Sequence, residues 1–304
     1  MYKVKITLAA TVTNLGPGLN SLGLAIGLHT TVEVSQRDDE QFIVETEGEG
    51  AGRYGIGLRH PVALAMMRVF QREEQATLGV NVRIKNLIPL TSGLGAEAAF
   101  WVAGIIGAHN LMKINYSRTE MIEMAAQVSG MGSQTVTSIM GGVTASVMSG
   151  DSFIYRALPA ASLRVIIALP ELDRYASEIA RVKPERVALT DALFNLSRVP
   201  LLVEALRLGD LDLIGELMDD RLHIPYLKPH IGGYDHVVEM ARRAGARAVT
   251  LSGDGPAVIA FAKQNHKMIA TTMEVAFENS GIKARTWIVP VDTQGIVISI
   301  ASSA

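Results

Sequence analysis

Glycine pairs recur at four places in this 304-residue chain, and they are its clearest chemical signal. The chain contains 28 glycines. The clusters are Gly16/Gly18, Gly93/Gly95, Gly130/Gly132 followed by Gly141/Gly142, and Gly253/Gly255. Because glycine has no Cβ, it adopts positive φ angles at no steric cost and lets a backbone approach a ligand closely. Each cluster therefore indicates either a tight turn or a ligand-binding loop, and for any one cluster the turn is the default interpretation.

The segment Pro89–Gly95 has the context of an anion-binding loop. It follows an alternating strand pattern at 80–85 and precedes a long apolar helical segment that begins at Glu97. The first N–H groups of a helix have no partner within the helix, and the helix dipole places positive potential there. No Gly-Lys-Ser/Thr follows, so the loop is not a Walker A motif, and it is not a dinucleotide fingerprint either.

Composition excludes several classes of function. Lys and Arg number 28 against 30 Asp and Glu, a net charge of −2 without long charged runs, so neither nucleic acid nor a membrane surface is expected as a partner. Cysteine is absent, which excludes disulfides, thiolate metal sites and a cysteine nucleophile. The seven histidines show no HxxxH or HExxH spacing, and we expect His223 to be structural. These features are typical of a cytoplasmic metabolic enzyme acting on a small molecule.

The elements that must position these loops follow from hydrophobic periodicity. The patterns predict strands at 3–9, 30–35, 41–46, 80–85 and 152–155 and helices at 60–72, 97–111 and 118–127 in the first half. In the second half they predict strands at 164–169, 247–251, 257–262, 286–291 and 295–300 and helices at 189–208, 211–219, 234–244 and 264–280. Ser117 and Glu120 form a capping-box pattern. Without regular βαβ alternation, this order predicts an α+β fold in two lobes, residues 1–158 and 159–304.

Three motifs, in order along nearly the whole chain, carry a family resemblance. Ile88-Pro89 through Gly93-Leu94-Gly95 to Ala98-Ala99 resembles the second motif of the GHMP small-molecule kinases. The segment 10–23 resembles the first motif of the homoserine kinase branch, and the segment 251–256 resembles the third. The segments 191–198 and 220–226 resemble further stretches of the homoserine kinases. The resemblance implies the two-lobed GHMP kinase fold, an N-terminal ribosomal S5 domain 2-like lobe and a C-terminal α/β ferredoxin-like lobe.

The resemblance also implies an activity and a set of site residues. It implies an ATP-dependent kinase, with Mg²⁺, that phosphorylates a hydroxyl of a small amino-acid-like substrate similar to homoserine, and a homodimer. The implied ATP-binding residues are Gly93, Leu94, Gly95, Ala96, Ser252, Gly253 and Gly255. The implied substrate-binding residues are Asn14, Asn20 and Arg181, and Glu123 is the implied magnesium ligand, with Glu97 as a second candidate.

Several positions differ from the family pattern. The family loop ends Gly-Leu-Gly-Ser-Ser, whereas this chain has Ala96-Glu97; the His-Pro-Asp-Asn segment is Met131–Gln134; and the first-motif Asp is Asn20. Glu97, Glu123 and Asp254 are the catalytic candidates. One alternative is therefore a repurposed enzyme without ATP, an isomerase or lyase that uses Glu97 and Asp254 as an acid/base pair. A catalytically silent relative is the other alternative, since fold alone does not decide function.

Overall fold

A computed structural model describes residues 2–302 except 56, 75–78, 151 and 181. Its strands are β1 (Tyr2–Thr13), β2 (Leu22–Arg37), β3 (Phe42–Gly48), β4 (Gly79–Asn86), β5 (Val143–Ser149), β6 (Ser152–Leu158), β7 (Arg164–Pro170), β8 (Ala248–Leu251), β9 (Val258–Phe261), β10 (Ala284–Pro290) and β11 (Val297–Ser302). Its helices are α1 (Pro61–Arg72), α2 (Ala96–Met112), α3 (Arg118–Ser129), α4 (Gly132–Met140), α5 (Tyr175–Ile179), α6 (Leu189–Leu208), α7 (Leu211–Leu217), α8 (Ile224–Leu227), α9 (Tyr234–Arg243) and α10 (His266–Asn279).

The first sheet is built around the long strand β2. The described sheet has seven strands in the order β11-β1-β2-β4-β3, with β5 beside the start of β2 and β6 beside β5. Thr30–Arg37 of β2 pairs with β4, whereas Leu22–Leu24 pairs with β5. The turn between β1 and β2 therefore lies next to the β5–β6 hairpin. Only the pairing of β3 with β4 is parallel within this described sheet.

Helices α1 to α4 pack on this sheet, and α2 is the most deeply buried of the four. Its residues are apolar on nearly every side, as the sequence predicts for an interior helix. Gly104 lets α1 and α2 come into contact, because a Cβ there would lie 2.4 Å from the backbone oxygen of Val62. Helix α3 begins with the predicted capping box, in which Ser117 and Glu120 exchange side-chain-to-backbone hydrogen bonds.

The second sheet, as far as the described residues form it, has four antiparallel strands in the order β10-β7-β9-β8. Helices α9 and α10 cover it and form a separate apolar core with the buried side chains of β8 and β9. The last strand, β11, follows β10 along the chain but belongs to the first sheet, where it pairs with β1. The predicted α+β class is confirmed, while the boundary between 158 and 159 stays a prediction.

Two stretches differ from the periodicity-based predictions. The residues 10–13 and 22–29 extend β1 and β2 well beyond the predicted strands, because both are buried and lack the alternation that marks a half-exposed strand. The apolar segment 135–147, which periodicity left unassigned, divides at Gly141-Gly142 into helix α4 and strand β5. Within the described residues, none of the helices has the length and apolar character needed to cross a membrane.

Candidate active site

The two glycine loops predicted to bind phosphate lie against each other. The Ser252 hydroxyl donates a hydrogen bond to the backbone oxygen of Gly93 (2.8 Å), and the Ala257 N–H donates to the backbone oxygen of Ser92 (3.1 Å). Gly93 has a φ of +80°, and a Cβ on it would lie 2.1 Å from the backbone oxygen of Ser252. Only glycine fits this contact, which we call the glycine junction (residues 92–95 and 252–255).

Strand β1 holds both halves of the glycine junction. The Thr11 N–H donates to the backbone oxygen of Leu94 (3.0 Å), and the Gly253 N–H donates to that of Thr13 (2.8 Å). A Cβ on Gly95 would lie 2.1 Å from the Thr11 hydroxyl, which is buried without a hydrogen-bond partner among the described residues. The junction therefore depends on backbone contacts from three segments that are distant in sequence.

Helix α2 begins at Ala96, directly after Gly95 of the glycine junction. Gly95 is the N-cap residue, and none of the described side chains caps the first N–H groups of the helix. Ala96 is buried, whereas Glu97 is exposed, and its Oε1 accepts a hydrogen bond from the Tyr54 hydroxyl (3.1 Å). Burial, together with the charge of Glu97, raises the pKa of Tyr54 to about 12. The Glu97 carboxylate is thus tied to the loop that precedes α1.

A cavity of about 610 Å³ lies beside the glycine junction. It is bounded by the β1–β2 turn, the α3–α4 turn, the tip of the β5–β6 hairpin and the loop that carries Asp254. Its lining residues are Thr13, Asn14, Asn20, Gly130, Met131, Gly132, Ser133, Gln134, Val147, Met148, Phe153, Lys183 and Asp254. We call it the acceptor cavity. One side is polar and charged, and the other is apolar.

Asp254 is the centre of the polar side of the acceptor cavity. Its Oδ1 accepts hydrogen bonds from His223 Nε2 (2.9 Å) and Asn14 Nδ2 (3.3 Å), and its Oδ2 accepts one from Lys183 Nζ (3.0 Å). The Tyr175 hydroxyl donates to its backbone oxygen (2.5 Å). Burial alone would raise the pKa of Asp254, but the hydrogen bonds and charges of His223 and Lys183 outweigh it and lower the pKa to about 2. Asp254 is therefore a permanent anion near neutral pH.

His223 is buried, at 2% exposure, and its position is set by the turn before α8. The Asp220 carboxylate accepts the N–H groups of His223 (2.8 Å) and Ile224 (2.5 Å). His223 Nδ1 is buried without a partner among the described residues. With a proton on Nε2, the His223 ring donates to the Asp254 carboxylate.

Comparisons with known proteins agree with this geometry. The family model for the N-terminal domain of GHMP kinases matches residues 61–150, and the model for their C-terminal domain matches residues 202–270. A homoserine kinase of Moorella thermoacetica is 36% identical over 91% of this chain and 94% of its own length. One from Prochlorococcus marinus is 32% identical over 96% and 95%, respectively. The chain belongs to the homoserine kinase branch of the GHMP kinases.

A solved structure supports the same fold. The crystal structure of homoserine kinase from Cytophaga hutchinsonii aligns with a TM-score of 0.86 at 24% identity, covering 98% of this chain and 97% of that one. At that identity the likeness bears on the fold only. Both lobes of the GHMP kinase fold implied by the motifs are thereby confirmed.

The predicted site residues of this GHMP kinase are distributed over three places. Asn14, Asn20 and Asp254 meet in the acceptor cavity, where Asn14 Oδ1 accepts the Asn20 N–H (2.9 Å). Glu97 lies at the start of α2, and in the described part of the chain no hydrogen bond joins it to Asp254. Glu123 is half-buried on α3. Arg181, the predicted carboxylate ligand, lies outside the described residues.

The start of α2 fits the phosphates of ATP. The uncapped N–H groups of α2 are donors for phosphate oxygens, and Gly95 and Ala96 place no bulky side chain there. Mg²⁺ typically takes one or two carboxylates besides phosphate oxygens and water. Glu123 forms no ion pair with any described residue, and those residues form no group of three or more metal-ligating side chains.

Three residues that form hydrogen bonds with Asp254 were not predicted from the sequence. Lys183 and Tyr175 belong to no motif, and the expectation that His223 is structural overlooked its bond to Asp254. The one signal available for His223 was the family-like segment 220–226, which contains it. Nothing in the local sequence links these residues to Asp254, because they are brought to it by packing of the second lobe.

Proposed function

We propose that this chain is an ATP-dependent kinase that phosphorylates a hydroxyl of a small amino-acid-like substrate. Its homoserine kinase relatives, 30–36% identical over most of the chain, support the reaction type. The observation that carries the proposal is the shared loop at 252–255, which contacts the phosphate-binding start of α2 through Ser252 and lines the acceptor cavity through Asp254. A phosphate donor site and an acceptor site are thereby neighbours.

The proposed donor side uses backbone groups. Residues 93–96 and the residues Ser252, Gly253 and Gly255 would surround the phosphates with N–H donors, and Glu123 would hold Mg²⁺. When bound, ATP with Mg²⁺ supplies the transferable phosphoryl group. Catalysis on this side is then a matter of positioning and electrostatic stabilisation, as is usual for phosphoryl transfer.

The proposed acceptor side uses side chains. Asn14 and Asn20, with Arg181, would bind the polar groups of the acceptor. Asp254 would orient the acceptor through a hydrogen bond, because a carboxylate whose pKa is about 2 holds no proton to give and accepts one poorly at neutral pH. For the same reason the acid/base alternative, which needs Asp254 to exchange protons with Glu97, is not favoured.

Two further parts of the proposal depend on the sequence alone. We propose a homodimer, which light scattering of the purified chain can test. We also propose a cytoplasmic location, consistent with the absence of cysteine, which fractionation of cells that express the chain can test.

Calorimetric titration with ATP in the presence of Mg²⁺ tests the donor side, and ADP formation with L-homoserine as acceptor tests the reaction. We expect saturable heat with ATP and ADP release that depends on the acceptor. Circular dichroism of the same sample controls for folding. A folded protein that gives no heat at millimolar ATP would contradict the kinase proposal.

A further inference from the structure

Helix α6 exposes a row of leucines to solvent. It is the longest of the described helices, and five of its leucines are 54–73% exposed. We call them the leucine face: Leu189, Leu193, Leu196, Leu201 and Leu208. At 3.6 residues per turn these positions fall within less than half of the helix circumference. They leave on the order of 500 Å² of apolar surface, and monomeric proteins rarely expose continuous apolar patches of that size.

The charged residues of α6 leave the leucine face neutral. Asp191 and Arg198 fall on the other side of the helix at 3.6 residues per turn. Glu204 and Arg207 lie within the face, and they pair with each other through two hydrogen bonds of 2.7 and 2.8 Å. A second copy of the chain therefore meets no net charge at this surface.

The order of the leucines along α6 matches that of an antiparallel copy. Leu196 and Leu201 are equally far from the middle of the helix, and so are Leu189 and Leu208. In a twofold dimer, a contact from one position to another is repeated in the reverse direction. Two α6 helices that cross at their middles therefore place Leu196 on Leu201 of the second copy. Two leucine faces together bury on the order of 1,000 Å², the size at which specific interfaces begin.

The buried side of α6 supports the acceptor cavity. Asn195 is buried, and its Nδ2 donates to Asp220 Oδ1 (2.6 Å) and to the backbone oxygen of Pro17 (3.4 Å). Pro17 belongs to the β1–β2 turn, which lines the cavity, and Asp220 holds the turn that carries His223. The helix that exposes the leucine face thus also ties together two segments of the active site.

Resting on the proposed homodimer, we infer that α6 forms its interface, with the leucine face of one copy packed antiparallel on that of a second copy. Because Asn195 is on the same helix, the dimer also holds the β1–β2 turn and the His223 turn in place. The acceptor cavity is therefore fully ordered only in the dimer.

Light scattering after size-exclusion chromatography of designed variants tests the interface. Leu196→Arg and Leu201→Glu each bury an unpaired charge at its centre, and each should weaken dimerisation about 100-fold. The double variant places each arginine opposite a glutamate of the second copy, and its dimer affinity should return to within about tenfold of wild type. Leu64→Arg, at a leucine of α1 that is 42% exposed, is the matched control and should leave the dimer intact.

Three results would overturn the interface. They are a wild-type chain that is monomeric at micromolar concentration, a dimer that both single variants leave intact, and a double variant as monomeric as the single ones. Circular dichroism of every variant controls for folding.

Initial rates with L-homoserine test the link from α6 to the cavity. The monomeric variants should raise the KM for L-homoserine about fivefold and change the KM for ATP less, and the double variant should recover. An unchanged KM for L-homoserine in folded monomers would contradict the link. A wild-type dimer that does not phosphorylate L-homoserine would contradict the kinase proposal and leave the interface standing.

Discussion

The glycine junction and the Asp254 cluster share the loop 252–255, yet they are stabilised by different interactions. The junction is held by backbone hydrogen bonds and by the absence of side chains at Gly93 and Gly95. The Asp254 cluster is held by charged and polar side chains from Asn14, Lys183 and His223. One region is thus a steric fit, and the other is an electrostatic one.

This difference decides what each region tolerates. Close packing between backbones leaves room for almost no added atom, and it does not depend on pH. Such packing suits phosphate binding, which is common to many related kinases. An electrostatic cluster depends on ionisation and can be rebuilt with other side chains, which suits a change of acceptor. The residues that depart from the family pattern, Asn20 and Met131–Gln134 among them, line the acceptor cavity.

The largest expected effect comes from adding a methyl group to the junction. Gly93→Ala places a Cβ against the backbone oxygens of Ser252 and Gly255, at 2.1 and 2.8 Å, and forces alanine to a positive φ. We expect the free energy of unfolding to fall by about 3–5 kcal/mol, because neither backbone can move without breaking the junction. Urea unfolding followed by circular dichroism measures it.

Gly281→Ala is the matched control for that change. Gly281 has a φ of +78°, and no atom of the described residues lies within 4 Å of a Cβ built there. Gly281→Ala should lower the free energy of unfolding by only about 1–2 kcal/mol, which is the strain of a positive φ by itself. Equal losses in the two variants would mean that close packing contributes nothing at Gly93.

The second effect is smaller and depends on pH. Asp254→Asn should lower the free energy of unfolding by about 1 kcal/mol near pH 7, an amount reduced for the partial exposure of the carboxylate. Since its pKa is lowered to about 2 in the folded protein, this contribution is complete above pH 4. The contribution of Asp254 to stability disappears as the pH falls toward 2. The gap in free energy of unfolding between wild type and variant should therefore close over that range.

Urea titrations at pH 7, 4 and 3 would follow that gap. Asp235→Asn is the control, because Asp235 forms an exposed pair with Lys228 and should change stability little at any pH. A gap that stays constant down to pH 3, or that widens, would contradict the ionisation of Asp254 described above.

The smallest effect concerns ATP affinity at the edge of the junction. Glu97→Gln removes a negative charge from the start of α2 but can keep the hydrogen bond from Tyr54. We expect ATP to bind about three- to tenfold more tightly, since repulsion between the carboxylate and phosphate is removed. Tyr54→Phe, which keeps the charge of Glu97, should change ATP affinity less.

Calorimetry with and without Mg²⁺ sharpens that comparison. If Glu97→Gln weakens ATP binding only when Mg²⁺ is present, Glu97 acts as a metal ligand and the electrostatic prediction is wrong. If binding weakens in both conditions, the hydrogen bond to Tyr54 matters more than the charge.

Much of the fold could be predicted, because the signals are local. The buried helix α2, the capping box of α3 and most strands follow from patterns within a few residues of each other. The extension of β2 from Leu22 could not be predicted, since a strand buried on both faces shows no alternation. Part of the acceptor cavity was predicted through motifs, namely Asn14, Asn20 and Asp254. Lys183, which also lines the cavity, and Tyr175, which donates to the backbone oxygen of Asp254, carried no signal.

By itself, the sequence determined the α+β class, the family and the positions where the backbone must be glycine, because these depend on residue type and spacing along the chain. Tertiary structure decided which charges meet. Asp254 lies 31 residues from His223 and 71 from Lys183 along the chain, and the pairing that lowers its pKa exists only once the second lobe has folded. Electrostatic energy depends on distance in space and on burial, and neither quantity follows from the separation of residues along the chain.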